Sequence, residues 1–215
     1  MGVIISEIRE GIIMNEVLIV ISFLLFGYLL GTLPFALWVT RLLKGVDVRD
    51  AGSGHSSTTN TIRQVGWVAG VLVLILDIAK GFIPTYLALE YSPYSWVVPI
   101  TAALTVVGHN WPVFAQFRGG MGLATAAGGI IAVYPFGFAI SLMVVLSLTL
   151  LLKHTARAAL ISSLIIAPVF YLFGERGIII GLAVSSGLIL ALRFTVDWNR
   201  EYKELWLDRD LPNGN

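Results

Sequence analysis

Residues 17–43 read VLIVISFLLFGYLLGTLPFALWVTRLL, an apolar run that meets its first charge only at Arg41. A helix needs about 20 residues to cross the hydrocarbon core of a bilayer, so this stretch is read as one spanning helix. It lacks the form of a cleavable secretory leader. The residues before it are mixed and slightly acidic (Glu7, Arg9, Glu10, Glu16), and the run is much longer than the short apolar core of a signal peptide.

Six further apolar stretches follow at 65–89, 96–107, 123–133, 136–152, 158–173 and 177–192. The 215-residue chain is 57% hydrophobic and 13% charged, against the ~25% charge usual in soluble domains. Its mean hydropathy is +0.85. These features predict an all-α polytopic membrane bundle of about seven transmembrane helices, with 1–215 forming a single integral-membrane domain. The stretches 96–107 and 123–133 fall below the ~17 residues of a simple span. They must borrow flanking residues or be re-entrant beside protein, because lipid cannot satisfy irregular backbone. A net charge of +1 gives no pull toward nucleic acid, and the absence of cysteine removes thiolate nucleophiles and cysteine-ligated metals.

Lys and Arg collect in cytoplasmic loops. With the N-terminus outside and the C-terminus inside, the internal segments hold Arg41, Lys44, Arg49, Arg63, Arg118, Lys153, Arg157, Arg193, Arg200, Lys203 and Arg209, and the external ones hold Arg9 and Arg176. The loops 47–63, 108–122 and 153–157 then face the cytoplasm, and Arg49 is read as an ordinary surface charge. Gly27/Gly31, Gly66/Gly70 and Gly177/Gly181 have the spacing at which helix backbones approach closely.

Two loops carry the chemistry. GSGHSSTTN (52–60), followed by Arg63, combines glycines, hydroxyls, an amide and a guanidinium at a helix entry. Such a loop suits an anion, and it equally suits a capped helix start with Ser57, Thr58, Thr59 or Asn60 as the cap. It matches no nucleotide fingerprint. GHNWPVFAQFRGGMG (108–122) brackets His109 and a glycine-rich bend between the two short apolar stretches. Here His109 reads equally as a proton carrier and as a histidine bonded across helices. Asp77 and Lys80 lie inside an apolar stretch, where each charge costs about 2.5–3.5 kcal/mol near mid-helix. Their spacing puts them on one face, as an ion pair or aimed at a polar interior. No Gly-x-Ser-x-Gly is present, and no histidine has an acid five residues on, since those positions are Asn60, Phe114 and Ala159. The histidines also lack a metal-ligand spacing.

GYLLGTLPF (27–35), DVRDAGSG (47–54), Thr59-Asn60 with Arg63, LDIAKG (76–81), and GHNWPVF (108–114) running through Gly119-Gly120 to Thr125 occur in this order. In that order the chain resembles the PlsY family of bacterial membrane glycerol-3-phosphate acyltransferases. The resemblance is strong up to Thr125 and beyond it rests mainly on hydropathy. It implies seven helices with three cytoplasmic motif loops in the bacterial cytoplasmic membrane. The implied reaction transfers an acyl group from acyl phosphate to glycerol 3-phosphate, giving lysophosphatidic acid and phosphate with neither cofactor nor metal.

The same resemblance implies Ser53 and His109 as catalytic residues. Ser53, Asn60, Arg63, Lys80, Gly119, Gly120 and Gly122 are implied to bind substrate, with Asp77 in support. The family has Asn where His55 stands, Lys where Met121 stands and Ser near Ala156, and its His-Arg-Glu-Asn is similar to Asn199-Arg-Glu-Tyr202 here. The lysine that Met121 replaces would face a bound phosphate. Two other classes compete: a non-catalytic descendant that binds phospholipid or acyl phosphate, and a small transporter, for which Asp77 and Lys80 are the motive.

Overall fold

The computed structural model describes residues 2–199. Arg200, Lys203, Arg209 and the Arg200–Tyr202 part of the C-terminal motif lie outside these, as do the side chains of Glu7, Arg9 and Glu10. Among the described residues nine α-helices follow in order: α1 Gly2–Gly31, α2 Phe35–Lys44, α3 Thr58–Val65, α4 Trp67–Tyr91, α5 Val97–Asn110, α6 Leu123–Val133, α7 Pro135–Leu152, α8 Thr155–Leu172 and α9 Ile178–Thr195. No strand occurs among the described residues. Six segments are long and apolar enough to cross a membrane, beginning with Ile13–Lys44, and α6 is the shorter seventh. The all-helical membrane architecture expected from hydropathy is the one observed.

The first apolar run is not one continuous helix. It breaks at Thr32-Leu33-Pro34, because proline has no N–H to give and disfavours helical backbone in the residue before it. Beyond the break, α2 packs on α3 and α4. It buries Ala36, Leu37 and Thr40 while Leu42 and Leu43 stay exposed.

α1 lies against α5 through Gly27 and Gly31, which face Thr101 and Thr105. A Gly27 Cβ would stand 2.9 Å from Thr101 Cγ2, so only glycine permits this approach. The other two expected glycine pairs do not act as pairs. Gly66 and Gly177 take positive φ angles at helix starts, leaving only Gly70 and Gly181 in packing contacts, against Ile62 and Pro99.

α6 spans only about 16 Å at 1.5 Å per residue. It nests along the second half of α4, with Thr125 backbone against Gly81 and Gly128 against Ile78. It therefore begins part-way through the bundle, beside the end of α5, as its short length required. Ala102, Ile130, Ile140, Ile166, Phe170 and Leu182 form one apolar cluster, and Val106, Ala126, Ala156, Ala159, Leu190 and Phe194 form another.

Candidate functional site

The two polar loops come together at one end of the bundle. Ser57 caps α3, its hydroxyl accepting the Asn60 N–H at 3.3 Å, so the loop before it is fixed where the helix begins. In the first turn of α3, Asn60 is fully buried. Its Nδ2 lies 2.6 Å from the Val48 carbonyl and 3.1 Å from those of Ala51 and His55, and its Oδ1 accepts the Ser53 N–H at 3.3 Å. Asn60 is thus a clasp that shapes the 48–55 loop. Ser53 is buried within this fold, and its Oγ accepts the His55 N–H at 3.4 Å. Arg63 sits half-buried in the last turn of α3.

Arg49 is no ordinary surface charge. It is buried, pairs with Asp47 through both carboxylate oxygens at 2.9 and 2.7 Å, and donates to the Ala115 carbonyl at 2.8 Å. The guanidinium beside Asp47 holds that carboxyl well below the usual carboxylate range. A second tie joins the same two loops, the Ser56 N–H donating to the Gly119 carbonyl at 3.3 Å.

Below these ties lies a buried charged group. Asp77 and Lys80 pair at 2.8 Å, and His109 Nδ1 is 3.6 Å from the same Asp77 oxygen. That separation is an electrostatic contact, too long for a hydrogen bond. Lys80 also donates to the Leu33 carbonyl at 3.2 Å and lies 5.6 Å from the Phe35 ring centre. It braces the break before α2. His109 Nε2 faces Gly120, and a Cβ at Gly120 would collide with it. The Gly120 N–H in turn donates to the His109 carbonyl at 3.1 Å. Gly122 then starts α6 with φ +87°, a left-handed conformation that glycine adopts without steric cost. Ser53 therefore lies in one loop with Asn60 and Arg63 on α3 just after it, Gly119, Gly120 and Gly122 lie in the other with His109 at the end of α5 before it, and Asp77 and Lys80 stand beside His109 on α4.

Two features escaped the sequence reading. His55 Nε2 is 2.7 Å from Asp197, just past α9, and its Nδ1 is 3.4 Å from Arg193. Met121, half-buried, packs on the apolar cluster that contains Ala156, as an apolar side chain gains from joining such a cluster.

The family profile described as Glycerol-3-phosphate acyltransferase matches residues 21–204. The chain belongs to the glycerol-3-phosphate acyltransferase family. A glycerol-3-phosphate acyltransferase of Thermotoga petrophila is 37% identical over 186 residues, 85% of this chain and 91% of the relative. One from Aquifex aeolicus is 36% identical over 177 residues, 82% and 92% of the two chains. The crystal structure of PlsY (YgiH), an integral membrane glycerol 3-phosphate acyltransferase, in its glycerol 3-phosphate form superposes with a TM-score of 0.75. It is 35% identical, and the match covers 84% of this chain and 90% of that one. The lysophosphatidic acid form of the same enzyme matches with the same TM-score at 34% identity. This acyltransferase family member is thus an integral membrane protein whose named relatives are bacterial. In it His55 pairs with Asp197, and Met121 packs on the apolar cluster that contains Ala156.

Proposed function

We propose that this acyltransferase takes its acyl group from acyl phosphate and transfers it to glycerol 3-phosphate. The acceptor hydroxyl oxygen attacks the acyl carbonyl, the carbonyl carbon–phosphate oxygen bond breaks, and lysophosphatidic acid and inorganic phosphate leave. Acyl phosphate is already activated, so positioning and charge stabilisation suffice without a covalent enzyme intermediate. Arg63 grips a phosphate, and Ser53 with the N–H groups of the glycine segment meets the oxyanion or substrate oxygens. His109 Nε2 carries the acceptor proton, with Asp77 beside Nδ1. Asn60 and Lys80 act by holding the two loops in register.

The observation that carries this reading is the joining of the hydroxyl loop to the glycine segment directly above His109, through Ser56 to Gly119 and Arg49 to Ala115. The relatives crystallised with glycerol 3-phosphate and lysophosphatidic acid support the acceptor and product. The whole chain works as one membrane unit, N-terminus outside, with the motif loops and C-terminus cytoplasmic and the acyl chain entering between helices from the bilayer. Purified protein given glycerol 3-phosphate with either palmitoyl phosphate or a palmitoyl thioester tests the donor. Lysophosphatidic acid is expected from the phosphate, and product from the thioester alone would refute it.

A further inference from the structure

Three segments far apart in sequence meet at Arg193. Its Nε donates to the Gly120 carbonyl at 3.1 Å, and its Nη2 lies 3.4 Å from His55 Nδ1, whose ring reaches Asp197 at 2.7 Å. Arginine only donates, so the Nδ1 facing it accepts and Nε2 carries the hydrogen given to the carboxylate, a tautomer assigned from these partners. A neutral ring therefore stands between a buried carboxylate and a half-buried guanidinium, fixing the guanidinium against the glycine segment. The neighbouring side chain, Met121, lies in the apolar cluster and brings no charge.

We infer that Arg193 is a positioning residue for the anionic substrate. It holds the Gly120 carbonyl, orients the Gly119–Gly122 backbone ahead of the α6 N-terminus, and makes the potential there positive. The inference rests on the reading that the site takes glycerol 3-phosphate. A guanidinium on the Gly120 carbonyl offsets the negative end of that peptide dipole, and its charge adds to the positive end of α6, favouring a phosphate nearby. Met121 contributes shape to the cluster while Arg193 contributes the charge from α9.

The test measures glycerol 3-phosphate binding by calorimetry and turnover with palmitoyl phosphate for wild type, Arg193→Gln and Arg193→Lys. Arg193→Gln is expected to raise both Kd and KM for glycerol 3-phosphate about tenfold or more, the size of one charge-assisted contact, with a much smaller change in kcat. Arg193→Lys keeps the charge and is expected to recover most of the loss. It also decides the matter alone if Arg193→Gln does not fold, by keeping kcat with a small rise in KM. A fall in kcat at unchanged KM and Kd in either variant, or wild-type binding by Arg193→Gln, would overturn the inference. Wild-type binding without turnover would remove the acyltransferase reading and leave the binding comparison to decide Arg193. Wild-type protein that binds no glycerol 3-phosphate overturns the inference.

Discussion

Arg49 donates to the Ala115 carbonyl at 2.8 Å, so a side chain of the hydroxyl loop holds the backbone of the loop that carries the glycine segment. Each loop alone is a short irregular stretch, and the Arg49 contact makes them one wall. Arg49→Ala removes that tie together with the bidentate pair to Asp47, and about 2–3 kcal/mol of stability should go with the charged hydrogen bonds. The Asp47 carboxyl is depressed in the folded state, so its contribution is fully present above the ordinary aspartate value and is lost as pH falls through the folded one. Melting curves in detergent should separate wild type from Arg49→Ala most at neutral pH and narrow the gap well below pH ~4, leaving the share due to the Ala115 contact. A constant difference across that range would contradict the role given to the pair.

The Asp77 and Lys80 pair is nearly inaccessible. Removing one charge strands the other, at a cost of about 3–5 kcal/mol, whereas removing both relieves it. Asp77→Asn and Lys80→Met should each lower the melting temperature sharply, and the double variant should be more stable than either. Simple addition of the two losses would show that the charges act independently.

Met121→Lys places an ammonium in the cluster of Val106, Ala126, Ala156, Leu190 and Phe194. Position 121 is half-buried against that cluster, so the charge is set beside apolar side chains with no carboxylate among them, and a lower melting temperature with no gain in acyl-transfer rate is expected. A faster enzyme of unchanged stability would mean that the side chain turns toward the site.

Much of this was legible in the sequence for a physical reason. Hydropathy reports lipid contact directly, so the seven apolar stretches reappear and α6 occupies the predicted 123–133. The glycine segment was legible too, since close approach to His109 allows no larger residue at Gly120. The break at Pro34 was hidden because an apolar average does not register one missing N–H. Arg49 was misjudged because charge counting treats every loop arginine as wet, and only the fold shows Asp47 and Ala115 enclosing it. The contact of His55 with Asp197 joins residues 142 apart, and no local pattern announces it. The contacts of Asn60 and Lys80 were hidden for a shared reason: both are engaged by backbone carbonyls that only the folded chain brings near.

The proposed orientation can be tested because the site and the turn at 92–96 lie at opposite ends of the bundle. Tyr94 bonds to Glu16 at 2.7 Å at the end opposite the site. In this cysteine-free chain Ser95→Cys is exposed there, and Lys153→Cys is exposed at the site end, a better reporter than buried Ser53. An impermeant thiol reagent on intact cells should label Ser95→Cys and spare Lys153→Cys. The reverse pattern would invert the topology.

The central claim is that the joined loops transfer an acyl group from phosphate to phosphate-bearing alcohol. The most direct measurement counts both products from purified protein supplied with palmitoyl phosphate and labelled glycerol 3-phosphate. It is run alongside Arg63→Ala and, as a control at an exposed arginine away from the loops, Arg176→Ala. The account predicts equal amounts of lysophosphatidic acid and acceptor-dependent inorganic phosphate. Wild type and Arg176→Ala should turn over alike, and Arg63→Ala should be slowed about tenfold or more by loss of a phosphate contact of ~1.5–3 kcal/mol. Matched rates in all three proteins, or phosphate release with no lysophosphatidic acid, would contradict it.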